Sequence, residues 1–359
     1  MDVDYLPDWI SPPGETVLDI LEERGWSQAD LAERTGYTRK HINLLIKGSA
    51  SITEEAALKL ERVLGSTAGF WLNREAQYRE ALARQAEIAD LKTSVSWLME
   101  LPIADMVKFG WIQPSSQKVR TVAACLQFFG VATVDAWRER YATLGAAYRA
   151  APAFEKKNGA VAAWVRHGEV QAETRSISSF RRDGLIELIP ELRSLTCEPD
   201  PVVFIPKLEG LLASVGVVFV VAPAPKGCPV SGLAKWLGPD RTLVMLSFRY
   251  KTNDHFWFSL FHELGHLLLH GKKLLFLEGC AEGLQPEQEA EADRWAANLL
   301  IPASRIREFK ELEPTEKAIQ NLANELGIAA GIVVGRLQHD KQLRWDQYDN
   351  FKLRYAWLE

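Results

Sequence analysis

Within "FSLFHELGHLLLHGKK", residues 258–273, two histidines stand four positions apart and a glutamate follows the first. On a helix, positions i and i+4 are stacked one turn apart on the same face, so His262 and His266 can present two imidazoles to one ion. Glu263 is rotated by about 100° from His262, because a helix has ~3.6 residues per turn. It can reach a water on that ion without being forced to ligate. This is the mechanical content of the HExxH pattern, in which two imidazoles hold zinc and the carboxylate serves as general base. The bland alternative is a pair of histidines satisfied inside a core. The strongly apolar helix around them argues against a chance match.

Zinc needs a third protein ligand. His270 continues the four-residue ladder, but a straight helix separates it from His262 by ~12 Å of rise. Two nitrogens bound to one zinc at ~2.0–2.1 Å cannot be that far apart. With Gly271 it reads as the end of the helix, where an imidazolium suits the C-terminal dipole. A better source is "PEQEAEADRWAANLLIP", residues 286–302. Pro286 suits a helix start, Ala292, Trp295, Ala296 and Leu299 make a packed face, and Pro302 ends the run. Glu287, Glu289, Glu291 and Asp293 crowd the first two turns, where acids also merely complement the helix dipole. Glu289 and Glu291 border opposite flanks of the packed face, and periodicity alone does not choose between them. His255, Tyr250 and His339 are the polar candidates for stabilising an oxyanion.

These residues need elements to hold them. From Pro201 onward the chain reads as helix ("PKLEGLLASVG"), β-branched run ("VVFVVAP"), a turn at Gly227, "VSGLAKWLG", a turn at Pro239-Asp240, and a strand, "RTLVMLSF". The HExxH helix follows after one short loop, capped near Asn253, and that strand could pair with an extended substrate. Residues 201–359 are therefore expected to form an α+β domain. Residues 91–200 read as helical pieces broken by Gly110, Pro114, Gly130 and Gly159, a linking or scaffold region without a chemical motif.

Residues 1–90 read as wholly helical. In "WSQADLAERTGYTRKHINLLIKG", Ser27 caps one helix, Gly36 breaks it and Thr38 caps the next. Ile42, Leu45 and Ile46 form the buried side of that second helix, which is the spacing of a helix-turn-helix. A further helix follows a Thr53 cap. Arg39, Lys40, His41 and Asn43 fall opposite the buried side, where base edges would be read. Together with Gln28, Thr38 and Lys47 they are the expected DNA-contacting set. Residues 1–90 hold 16 acidic and 10 basic side chains, yet Arg34–Lys47 contains four basic residues and no acid. DNA affinity must come from that local stretch. A fainter echo, "LANELGIAAGIVVGRL" (322–337), carries Ala329, Ala330 and Gly331 where the first copy has Thr38, Arg39 and Lys40, and reads as a packing helix pair.

The composition, 359 residues with 47% apolar, 25% charged and a net charge of −5, is ordinary for a soluble protein of two or three domains. Its apolar stretches are too short to span a bilayer. No signal peptide is visible, and four dispersed cysteines suit a reducing cytoplasm.

The first quarter, "SQADLAERTGYTRKHINLLIKG" with "ITEEAALKLERVLGSTAGFWLN", resembles the HigA-type antitoxin branch of the Xre/Cro-like helix-turn-helix family. Most of 201–359 resembles the ImmA/IrrE family of zinc metallopeptidases, through "VSGLAKWLGPDRTLVMLS", "RYKTNDHFWFSLFHELGHLLLHGKK", "EAEADRWAANLLIP" and "LGIAAGIVVGRLQHDKQLRW". Trp295 stands where that family more often has Phe. The resemblance implies a zincin-like fold and Zn2+ held by His262, His266 and Glu291. It also implies Glu263 as general base and a peptide bond as substrate. The expected protein is a cytoplasmic zinc endopeptidase fused to a DNA-binding domain, a homodimer on an operator, cleaving a transcriptional repressor or antitoxin in stress or mobile-element control. The alternative is a repressor or antitoxin whose peptidase-like part only senses or binds a partner.

Overall fold

The computed structural model describes residues 10–146, 155–270, 275–277 and 286–355. The chain forms two compact units, Met1–Val95 and Ser96–Glu359.

The first unit is all helical: α1 (Pro13–Glu23), α2 (Gln28–Thr35), α3 (Arg39–Ile46), α4 (Glu54–Leu64) and α5 (Ala68–Thr93). The caps are local chemistry. Asp30 N–H donates to Ser27 Oγ at 3.2 Å, and Ser27 N–H donates back to Asp30 Oδ2 at 2.8 Å, a reciprocal capping box. His41 N–H donates to Thr38 Oγ1 at 3.1 Å, and Thr53 caps α4 in the same way. Leu31 and Ala32 of α2, Ile42, Leu45 and Ile46 of α3, and Leu60 and Trp71 behind them share one core. The turn between α2 and α3 runs through Gly36, giving the expected helix-turn-helix.

The second unit opens with α6 (Ile103–Lys108), α7 (Lys118–Phe129), α8 (Val134–Ala146), α9 (Glu155–Thr174), α10 (Arg182–Ser194) and α11 (Pro201–Ser214). A four-stranded sheet follows: β1 (Val217–Val221), β2 (Gly232–Gly238), β3 (Arg241–Leu246) and β4 (Leu275–Leu277), in the order β1-β3-β2-β4. β1 runs parallel to β3, and β2 is antiparallel to both β3 and β4. Then come α12 (Asn253–Leu269, between β3 and β4), α13 (Pro286–Leu300), α14 (Ile306–Glu311), α15 (Glu316–Leu326) and α16 (Ala330–His339).

Strand alternation divides the sheet into two buried faces. Val217, Phe219, Ala234, Val244 and Leu246 share a core with Leu260, Phe261 and Leu264 of α12. Met245, one residue out of phase, lies against Gly168 of α9. On that side Trp164 Nε1 donates to the Ala222 carbonyl at 3.1 Å, and Arg241 donates to the Arg175 carbonyl at 2.7 Å. Cover on both faces explains why β1 and β3 read as continuous apolar runs. The helices of residues 96–200 therefore belong to the same unit as the sheet.

α12 is the centre of this unit, with 14 of its 17 residues buried. Its first turn is pinned by the C-terminal segment: Lys352 Nζ meets Asp254 Oδ2 at 2.7 Å, with both side chains under 10% exposed. Asn253 N–H donates to the Leu353 carbonyl at 2.9 Å. Ile319, Leu322, Ala323, Ile332 and Val333 of α15 and α16 join the same core as α12. That is the packing role expected of the late echo. Among the described residues no single helix is long and apolar enough to cross a membrane.

Candidate metal centre

The centre is built where α12 meets the start of α13, and small residues permit the approach. A Cβ placed on Gly265 would sit 3.1 Å from Trp295 Cε3 and 3.5 Å from Ala292 Cα. Ala292 and Ala296 are fully buried at the same contact. Without a side chain at 265, the first turn of α13 lies over the second half of α12.

That approach brings three groups together. His262 Nε2 and His266 Nε2 are 2.9 Å apart, and the Glu289 carboxylate lies 3.2 Å from the first and 3.5 Å from the second. Nitrogen and oxygen ligands on a tetrahedral zinc, bonded at ~2.0–2.2 Å, stand about 3.3 Å from one another. The donor set fits zinc in type, count and spacing. Glu263 is fully buried on the same helix, next to His262 in sequence, and the two histidines are at most 2% exposed.

The outer nitrogens of both imidazoles are engaged. His262 Nδ1 lies 2.9 Å from Asp293 Oδ1, one turn beyond Glu289. His266 Nδ1 lies 3.0 Å from His270 Nδ1, and His270 Nε2 lies 3.2 Å from Glu291 Oε2. With Asp293 accepting from Nδ1–H, His262 Nε2 carries a lone pair toward its neighbours. Two ring nitrogens and a carboxylate oxygen so close need a proton or a cation among them.

The charges respond accordingly. Burial acts to raise the Glu289 carboxyl, but the His262 and His266 imidazoles outweigh it when a ring Nε2 carries a proton toward the carboxylate, and hold the group at about 2. Burial lowers the pKa of His266, against the hydrogen bond that a protonated ring would donate to Glu289, which would raise it. An ionised carboxylate and a neutral imidazole are the ligating forms, and a cation bound here would take the place of the Nε2 proton.

Of the two glutamates that sequence periodicity left open, the structure brings Glu289 to the histidines. Glu291, the ligand implied by family resemblance, is instead on His270 with its side chain 55% exposed. The correction is rotational: two residues along a helix turn a side chain by about 200°, to another flank of α13. His270 ends α12 as expected, as its C-cap in extended conformation. Asp293 and the His270–Glu291 contact carried no separate signal in the sequence, although the EAEAD spacing contains their acidic members. His255 is stacked on Tyr250 at 4.5 Å, roughly 10 Å along the helix axis from His262. His339 is 79% exposed and lies against Asp340. Nothing in the structure singles out one of these three for an oxyanion.

In the first unit, Arg39, Lys40 and Lys47 are exposed along α3, while His41 and Asn43 are half-buried and Gln28 begins α2. His41 packs on Tyr37 at 4.5 Å. Arg34, counted in the basic stretch, lies 4.0 Å over the Trp26 ring.

Comparison with known proteins yields two family matches. The peptidase M78 family, described as an IrrE N-terminal-like domain, matches residues 235–338. The helix-turn-helix family matches residues 17–71. No curated protein matches the chain. Among solved structures, a candidate antidote protein of a plasmid maintenance system from Nostoc punctiforme is 30% identical, covering 24% of this chain and 96% of its own, with a TM-score of 0.23. A helix-turn-helix domain and an IrrE-like peptidase-family domain thus stand in tandem.

Proposed function

We propose that this chain is a zinc-dependent endopeptidase of zincin-like fold, carrying a HigA-type DNA-binding module and acting on a transcriptional repressor or antitoxin. The observation that carries the reading is the convergence of His262, His266 and Glu289 on one point beside a buried Glu263. His262, His266 and Glu289 would hold the ion. When bound, zinc supplies Lewis acidity and lowers the pKa of a water in its open position toward ~7. Glu263 takes a proton from the attacking water and returns it to the leaving amine. Asp293 holds His262 in the tautomer whose Nε2 can ligate.

Glu263→Gln tests the reading. The variant should keep stoichiometric zinc by metal analysis and lose peptide hydrolysis by at least a hundredfold, since only the proton carrier is removed. Loss of zinc together with activity would make Glu263 a ligand. Unchanged activity would remove the peptidase reading of this centre.

A further inference from the structure

The helix that carries the two ligand histidines ends on a third, and the ligand set leaves it unused. His270 is too far along α12 to share an ion with His262, yet its imidazole is only 3% exposed. It is turned back along the helix, Nδ1 toward His266 Nδ1 at 3.0 Å. Its far nitrogen, Nε2, meets the Glu291 carboxylate at 3.2 Å.

With both imidazoles neutral and Glu291 accepting, hydrogen placement along this row has one consistent solution. An ionised Glu291 accepts, so His270 Nε2 carries the hydrogen. A neutral His270 then has a bare Nδ1, which accepts. His266 Nδ1 must donate to it, which leaves the lone pair of His266 on Nε2, the atom facing His262 and Glu289. We propose that His270 and Glu291 form an outer relay that fixes His266 in its Nδ1–H tautomer and aims Nε2 at the metal. His270 is a positioning residue in this scheme. The inference rests on reading His262, His266 and Glu289 as a metal site, and adds the residues that prepare it.

The arrangement mirrors the direct contact from Asp293 to His262. α13 thus supplies three carboxylates with different tasks: Glu289 to the ion, Asp293 behind one imidazole and Glu291 behind the other through His270. Outer partners of this kind raise ligand basicity, and their loss typically costs 10–100-fold in metal affinity.

The experiment uses the full chain, stripped of metal by chelation, with Zn2+ as probe. In imidazole nitrogen NMR at alkaline pH, His266 of the metal-free wild type should be the Nδ1–H tautomer, the minor form of a free imidazole. His270→Leu should shift it toward Nε2–H and weaken Zn2+ binding 10–100-fold in competition with a chromophoric chelator. His270→Asn keeps an acceptor near the Nδ1 position and should restore most of that affinity. Glu291→Gln should cause a smaller loss, and none in the His270→Leu background, because it acts only through His270. Unchanged Zn2+ affinity and tautomer in His270→Leu would overturn the relay while leaving the metal site standing. A loss from Glu291→Gln that persists without His270 would overturn it in favour of a direct role for Glu291. A wild type that takes up no Zn2+ would overturn the metal reading and the relay together.

Discussion

At the residue scale, Glu289 and its neighbours separate what a carboxylate does from where it stands in a sequence. Glu287, Glu289, Glu291 and Asp293 are similar acids on one helix start, and all suit its dipole. Only Glu289 lies within 3.5 Å of both histidine Nε2 atoms. Glu289→Gln should therefore reduce zinc affinity by several orders of magnitude, and Glu287→Gln should leave it unchanged. Metal analysis after dialysis against a weak chelator distinguishes them. If Glu291→Gln strips the metal and Glu289→Gln does not, the rotation of α13 in this structure is wrong.

At the element scale, the centre depends on how closely two helices pack and on what anchors the first. A methyl group on Gly265 would press on Trp295 at 3.1 Å, and overpacking of this kind costs ~1–3 kcal/mol. Gly265→Ala should weaken zinc binding, because α13 must retreat and take Glu289 with it. Adding Trp295→Leu should recover much of the loss, and a double variant no better than the single would remove this explanation. The other end of α12 is held by the buried Asp254–Lys352 pair. Lys352→Met would leave Asp254 buried without its cation, a change that typically costs ~3–5 kcal/mol. Chemical denaturation should show that loss with the slope of the transition unchanged. A cost below ~1 kcal/mol would mean that water replaces the lysine.

At the scale of the whole molecule, the proposed DNA contacts and the proposed metal ligands fall in different units, so substitution can test them separately. Arg39 and Lys40 are exposed on α3, in Met1–Val95, whereas His262, His266 and Glu289 belong to Ser96–Glu359. Arg39→Ala with Lys40→Ala should abolish operator binding and leave zinc content and hydrolysis of an unfolded substrate unchanged. Wild-type binding should fall steeply with salt, because phosphate contacts release counterions. The acidic balance of residues 1–90 makes this the severest test. A protein that selects no sequence from a random DNA pool, yet loses partner cleavage on the double substitution, would assign α3 to docking a protein.

Much of this was legible before any tertiary structure. The helix-turn-helix caps at Ser27, Thr38 and Thr53, the HExxH face and the end of α12 at His270 all follow from interactions within about four residues. Such local spacing survives whatever the rest of the chain does. Tertiary structure decided what depends on the rotation and approach of elements distant in sequence. Glu289 rather than Glu291 faces the histidines because Gly265, Trp295 and Ala292 set how α13 lies on α12, and both glutamates border the same packed face in sequence. The middle helices join the sheet because β3 is apolar on both faces and needs α9 as cover, a demand that a continuous hydrophobic run states without naming its partner. His270 could be placed at a helix end by counting. Its turn back toward His266 required Glu291 to arrive from another helix, and no periodicity within either helix encodes that meeting.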